Sequence, residues 1–216
     1  MVTKYGLNTF LVCSAFAAIL VLVGLYINNG WIKYPLIILG VGFFLFTLNF
    51  FRDPDRTPPS RDDVIVSPAD GTVIIIKDIF EEEFVKDATT QLSIFMSPFN
   101  VHVNRIPITG TIGMRKYIEG DYLIASYEKA DKRNERTEIG IDSKHGKMMF
   151  TQVAGFVARR IVCPLKEGES VKMGNRFGMI KFGSRSDVFA PKKWKLKVKV
   201  GDKVTAGETI LFELDK

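Results

Sequence analysis

Lys195-Leu196-Lys197-Val198-Lys199-Val200 alternates strictly between charged and aliphatic residues. That period of two sets successive side chains on opposite faces of a half-buried strand. Gly201-Asp202-Lys203-Val204-Thr205-Ala206-Gly207-Glu208-Thr209-Ile210 comes next, glycine turns linking short strands. Far upstream, Ser67-Pro68-Ala69-Asp70-Gly71-Thr72-Val73 has the same character, a set of turn residues leading into a strand. Between these ends, strands are expected at Val64 to Val66, Gly71 to Ile76, Gln91 to Phe95, Val101 to Ile106, Gly110 to Met114, Lys147 to Val153, Phe156 to Cys163 and Phe177 to Phe182. Each is rich in β-branched and aromatic residues and bounded by Gly, Pro or Asp. Helical periodicity is scarce, confined to short turns around Pro98-Phe99 and from Tyr127 to Lys132. A mostly β domain of about 150 residues must bury one face of each short antiparallel strand, so a β-sandwich or partly closed barrel is expected.

The chain before that domain is of another kind. Leu7 to Ile27 is a run without a charge, and about 20 apolar residues at 1.5 Å rise span the roughly 30 Å of hydrocarbon. Tyr34 to Phe51 is a second such run, with Pro35 at its start, where a missing backbone donor costs little. Asn28 to Lys33 is the expected turn, and Trp31 and Tyr34 suit the lipid-water boundary. The reading is a transmembrane helical hairpin, residues 1 to 51. A cleaved signal peptide fits less well, since the first residues carry little charge and a second apolar run follows at once. Arg52 to Asp63, with Pro54, Pro58 and Pro59 among charges, reads as a linker, and residues 64 to 216 as the β domain. Lys4 precedes the first run and Arg52, Arg56 and Arg61 follow the second, whereas the turn carries only Lys33. The positive-inside bias puts the chain in the cell membrane with the β domain on the cytoplasmic face.

The net charge of +6 is spread without the basic-aromatic interleaving of a nucleic-acid stacking platform, so anionic lipid headgroups are its simpler partner and no nucleic acid is expected. Two cysteines, Cys13 and Cys163, give no disulfide framework. No Cys/His spacing suggests a metal site.

Chemistry concentrates in Phe182-Gly183-Ser184-Arg185. In a constrained turn the Ser184 hydroxyl can attack the Gly183 carbonyl, converting amide to ester, and glycine leaves that approach open. Base-assisted β-elimination then frees Gly183 as a carboxyl terminus and leaves a dehydroalanine that hydrolyses to a pyruvoyl group at position 184. Gly-Ser is also an ordinary turn dipeptide, so the residues around it matter. His102 alternates with Val101 and Val103 in Met96-Ser97-Pro98-Phe99-Asn100-Val101-His102-Val103-Asn104-Arg105-Ile106-Pro107, which aims the imidazole away from the face carrying the valines. An imidazole titrating near neutrality can take a serine proton or return one to a carbanion. His145, in the polar turn Asp142 to Lys147, reads as solvated. Asp70 is by itself an Asp-Gly turn residue, but brought to His102 it would orient the ring as in a hydrolytic triad.

Ser67 to Val73, Met96 to Pro107 and Gly178 to Val188 stand in the order and rough spacing of phosphatidylserine decarboxylases, and the chain resembles their short, membrane-anchored prokaryotic (archaeal-type) form over nearly its whole length. The resemblance implies a self-processing proenzyme cut between Gly183 and Ser184. Its products would be a large β chain, residues 1 to 183, and a small α chain, residues 184 to 216, held as a heterodimer. It also implies catalytic Asp70, His102 and Ser184, and a covalent pyruvoyl (pyruvate) group as the only cofactor. The substrate would be phosphatidylserine in the membrane, joined through a Schiff base and released as phosphatidylethanolamine; a homo-oligomer is left open. Longer relatives have Leu-Gly-Ser-Thr at the cut and a second histidine where this chain has Arg105. His102 is then expected to serve both maturation and decarboxylation, unless another group takes one role. Arg159, Arg160 and Arg105 are candidates for the lipid phosphate, and Lys192, Lys193 and Trp194 for the bilayer surface. Ile79-Phe80 with Phe84-Val85 reads as a loop over the site.

Two other readings share the strand pattern. The Ser67 to Val73 and Val200 to Ile210 pairing is similar to the hammerhead sandwich of biotinyl and lipoyl modules, which predicts an uncut, membrane-anchored carrier or scaffold. Such a carrier needs a lysine at a hairpin tip, and Asp70-Gly71 has none. Zinc peptidases of the duplicated-hybrid type are similar too, but two histidines do not furnish their ligands. A pyruvoyl decarboxylase of a soluble amino acid would cut itself in the same way, and only the anchor argues against it.

Overall fold

The computed structural model describes residues 2–123, 133–155, 160–181 and 184–214, in two compact units, Met1–Pro54 and Asp55–Lys216. In the first unit, α1 (Leu7–Tyr26) and α2 (Gly30–Phe50) pack on each other, and both are long and apolar enough to cross a membrane. Glycines let them approach: a Cβ on Gly40 would lie 2.8 Å from Val21 Cγ2 and 2.9 Å from the Ala17 carbonyl. Close backbone approach of this kind favours helix association where water supplies no driving force. Thr3 N donates to the Phe51 carbonyl at 2.9 Å, tying the two outer ends together. The second helix starts four residues before the expected Tyr34. Asn29 caps it, its side-chain oxygen accepting from Trp31 N at 3.0 Å, so Trp31, Lys33 and Tyr34 are helical.

The second unit is mostly β and its strands run, in order, β1 (Val64–Val66), β2 (Gly71–Glu81), β3 (Asp87–Met96), β4 (Val103–Arg105), β5 (Gly110–Ile118), β6 (Arg136–Ser143) and β7 (Gly146–Ala154). They continue as β8 (Ile161–Val162), β9 (Ser170–Val171), β10 (Arg176–Ile180), β11 (Ser184–Pro191), β12 (Trp194–Leu196), β13 (Lys203–Val204) and β14 (Ile210–Leu214). Eight form one curled half-barrel sheet in the order β13-β2-β3-β11-β7-β6-β5-β9. Two three-stranded sheets, β1-β14-β12 and β4-β10-β8, complete the unit. The pairings among named strands are antiparallel, so each strand presents alternate residues to opposite faces.

Strand β11 lies between β3 and β7 and shows what alternation does here. Val188 and Ala190 join Leu92, Ile94, Met96, Phe150 and Ala154 in the main core, and Ser184 and Ser186 point the same way by their even spacing. Phe189 joins Met149 and Phe84 in a smaller cluster on the other face, the face of Arg185 and Asp187.

Four expectations are corrected. The alternating run from Lys195 is a strand only to Leu196; the chain then turns, with Lys199 N donating to Asp202 Oδ2 at 2.9 Å and Gly201 at φ +95°. Trp194 is buried, not free for a bilayer, because β12 pairs with β14 and brings the indole edge-on to His145, ring centroids 5.9 Å apart. His145 is therefore packed as well, with Nε2 3.7 Å from Asp62 Oδ1. The Ile79 to Val85 segment is a hairpin end, not a loop over Ser184. Glu81 accepts from the backbone of Glu83, Phe84 and Val85, and Phe84 is buried over Gly113 and Gly140 on the face opposite Ser184. Of the expected strand Phe156 to Cys163, the described part is β8, and the turn expected from Tyr127 to Lys132 lies outside the described residues.

Residues of the expected linker from Asp55 on are pinned to the β unit. Arg56 bonds Asp70 at 2.9 Å, Arg61 bonds Asp63 at 2.6 Å and also Glu213, and Lys144 bonds Asp62.

Candidate active site

Ser184 opens β11, opposite the last residue of β3, Met96, and the last of β7, Ala154. Two ladders therefore hold the residue just after the candidate scissile bond. Its side chain is fully buried, and Oγ donates to Met96 Sδ at 3.2 Å. A thioether is a weak acceptor. The hydroxyl is oriented but only loosely held.

His102 enters from the neighbouring sheet. Met179 of β10 pairs with Val103 of β4, and Ile180 N donates to the His102 carbonyl at 3.4 Å, which sets His102 beside the strand that leads toward the cut. The preceding turn is built by its own sequence: Ser97 N and Oγ both donate to Asn100 Oδ1, at 2.9 and 2.8 Å, and Asn100 N donates back to the Ser97 carbonyl. The Asn100 carbonyl lies 2.9 Å from His102 Nδ1. Since a carbonyl only accepts, Nδ1 carries the proton and Nε2 is the basic nitrogen of the neutral ring. The ring is fully buried.

Asp70 stands at the end of the Ser67 turn, where Ser67 Oγ donates to the Ala69 carbonyl at 2.6 Å. That turn is stitched to β4, because the Pro68 carbonyl accepts from Arg105 N at 2.9 Å and from Asn104 Nδ2 at 3.4 Å. The Asp70 carboxylate accepts from Arg56 Nη2 at 2.9 Å and from Ala206 N at 2.8 Å, the second joining it to the glycine turn before β14. The two stretches that define the fold in the sequence thus meet at this carboxylate.

Arg105 is buried with Nη1 donating to the Gly174 carbonyl at 2.8 Å, and a Cβ on Gly207 would meet its Cδ at 2.9 Å. Arg160 is exposed and its carbonyl accepts from Lys181 N at 3.3 Å. Arg159 and Gly183 lie outside the described residues.

Sequence reasoning assigned no role to five residues here. Met96, Asn104 and Gln152 line the Ser184 side, with Gln152 Nε2 donating to Asn104 Oδ1 at 2.9 Å. Gln152 had a signal: it falls on the inward register of a strand whose other inward positions are Met148, Phe150 and Ala154. On the far face, Asp187 pairs with Arg185 through two bonds of 2.8 Å, both residues buried. The set offers a hydroxyl, an imidazole and a carboxylate on three segments bound to one another by backbone.

A family model for phosphatidylserine decarboxylase matches residues 43–212. The phosphatidylserine decarboxylase proenzyme of Chlorobium limicola is 45% identical over 211 residues, covering 98% of this chain and 99% of the relative. That of Chlorobium phaeobacteroides is 48% identical over 216 residues, with 98% and 99% covered. That of Chlorobium phaeovibrioides is 52% identical over 172 residues, with 80% and 78% covered. Likeness of this extent is decisive: the chain belongs to the phosphatidylserine decarboxylase family.

Proposed function

We propose that this chain is a self-processing proenzyme that decarboxylates phosphatidylserine to phosphatidylethanolamine, using a pyruvoyl group made from Ser184. The observation that carries the reading is the position of Ser184. It is the first residue of a strand laddered on both sides, with its hydroxyl buried on a weak acceptor. Cleavage before it leaves the new terminus held in the sheet by β3 and β7, where the site needs it.

In maturation the Ser184 hydroxyl attacks the Gly183 carbonyl, its proton passing to His102 Nε2, and the C–N bond breaks as the ester forms. Removal of the Ser184 Cα proton then expels Gly183 as a carboxylate, and water replaces nitrogen, lost as ammonia, to give the ketone. Asp70, on the turn tied to β4 and with its carboxylate bonded to Arg56 and Ala206 N, is the acidic member of the proposed set. A pyruvoyl group held at position 184, at the head of β11 between β3 and β7, would supply the electron sink for loss of carbon dioxide from the substrate. His102 Nε2 would hold the proton that replaces the lost carboxylate. Arg160, exposed beside Lys181, is the described candidate for the lipid phosphate. The apolar helices anchor the protein in the cell membrane, with the β unit on the cytoplasmic face by the positive-inside bias. The α and β fragments remain together because β11 sits inside the eight-stranded sheet.

The test is release of carbon dioxide from purified protein in vesicles containing phosphatidylserine, with free serine as the comparison. Release from the lipid alone, abolished by prior treatment with a hydrazine, is expected. Equal turnover of free serine would move the substrate assignment to a soluble amino acid, and turnover insensitive to the carbonyl reagent would overturn the pyruvoyl reading.

A further inference from the structure

Ser184 is the end of a file of buried polar groups. Gln152 Nε2 donates to Asn104 Oδ1 at 2.9 Å, Asn104 Nδ2 lies 3.9 Å from Met96 Sδ, and Met96 Sδ accepts from Ser184 Oγ at 3.2 Å. All four residues are fully buried. The file crosses three strands, from β7 through β4 to β3, and ends on β11.

Two features separate it from ordinary core. Gln152 Oε1 and, directly across the ladder, Thr137 Oγ1 are both buried without a hydrogen-bond partner among the described residues. A buried acceptor left unmade is costly, and an apolar side chain of the same length would fill the place better. The amide is also closely enclosed: a Cβ on Gly178 of β10 would come within 3.2 Å of Gln152 Nε2 and 2.2 Å of the Val162 carbonyl. Glycine at that point lets the β10 backbone close over the amide. Stability alone does not account for the arrangement.

We propose that Gln152 is a positioning residue for self-cleavage, acting through Asn104 and Met96; the inference rests on the reading of Ser184 as the nucleophile. By donating to Asn104 Oδ1, Gln152 makes the shortest bond to the Asn104 amide and, with the Pro68 carbonyl that accepts from Asn104 Nδ2 at 3.4 Å, sets its NH2 group on the Met96 side. Met96 then presents sulfur to the Ser184 hydroxyl. A carbonyl or carboxylate in that place would compete with the imidazole for the serine proton. A thioether gives the hydroxyl a direction and releases it.

The experiment follows splitting of newly synthesised full-length precursor by mass, for wild type, Ser184→Ala, Gln152→Met, Met96→Leu and the Gln152→Met/Met96→Leu double variant. Gln152→Met and Met96→Leu are each expected to slow splitting at least tenfold, and the double variant to be no slower than the slower single, since both break one file. Melting of Gln152→Met in the uncut Ser184→Ala background is expected to be unchanged or raised. Hydroxylamine, which cleaves an ester once formed, is expected not to restore the rate, because the loss precedes the ester. Gln152→Met splitting at the wild-type rate, or effects that multiply in the double variant, would overturn the proposal. If Gln152→Met shows no cooperative melt, Met96→Leu decides: wild-type splitting there sinks it. Failure of wild type to split, or splitting by Ser184→Ala, would instead fault the nucleophile.

Discussion

The two faces of β11 are built to opposite rules within four residues. On one, Arg185 and Asp187 form a two-bond ion pair under full burial, with strong donors and acceptors matched. On the other, Ser184 has a thioether for its partner, and behind it stands the Gln152 amide, whose Oε1 has no hydrogen-bond partner among the described residues. The first face holds the strand in place. The second leaves a hydroxyl oriented and under-bonded, which a reacting group needs. With Ser184 as the proposed nucleophile, stability and reactivity are divided between the faces of one strand, so that breaking the chain before Ser184 need not loosen the rest of β11.

The division can be attacked from either side. His102→Ala strikes the reactive face and is expected to slow splitting by roughly 10²- to 10⁴-fold, the usual worth of a positioned proton acceptor. Melting of the uncut protein should fall as well, because the fully buried ring leaves a cavity; a large loss of melting temperature with normal splitting would reverse the assignment of faces. Asp187→Ala strikes the holding face and leaves Arg185 buried without its carboxylate, which costs about 3–5 kcal/mol. Chemical denaturation of the full chain in detergent measures it, and Arg185→Met/Asp187→Leu together should lose less than Asp187→Ala alone. His145→Ala touches neither face. It removes the edge-on contact with Trp194, worth about 1 kcal/mol, and should leave splitting at the wild-type rate.

Acid titration gives a smaller effect away from both faces. Lys197, then Arg61, hydrogen-bond Glu213 and hold its carboxyl below the usual glutamate range. A group lowered in the folded state contributes stability above its ordinary pKa and loses it as pH falls through the lowered value. The β1-β14-β12 sheet should therefore weaken slightly in acid below the ordinary glutamate range, and Glu213→Gln should flatten that part of the melting-versus-pH curve. Smallest is Cys163. Burial pushes its thiol above the ordinary range, so alkylation by iodoacetamide at pH 8 should be slow beside a free thiol.

Much of this was legible in the chain because its signals are local. Val64 to Val66, the β2 and β7 regions and the two apolar runs declare themselves by period and composition; Ser184, His102 and Asp70 are proposed from chemical type and resemblance. What failed depended on partners. Lys195 to Val200 keeps its alternation past the point where Asp202 and Gly201 turn the chain, since a pattern of two records side-chain faces and not where a ladder ends. Trp194 among lysines has the look of an interfacial residue until β14 pairs with β12 and buries it. Met96 and Asn104 lie in a stretch the sequence singles out, but carry no signal of their own; their partners come only when β11 brings Ser184 to Met96 and β7 brings Gln152 to Asn104.

The central claim is that the chain breaks itself before residue 184, and intact mass of the purified, active protein tests it most directly. Wild type should yield two chains, residues 1 to 183 and 184 to 216, the smaller with a blocked terminus that reacts with hydrazine. Ser184→Ala should yield one inactive chain of 216 residues. An active wild-type preparation that is a single unbroken chain, or a Ser184→Ala chain that still parts at this bond, would contradict the account.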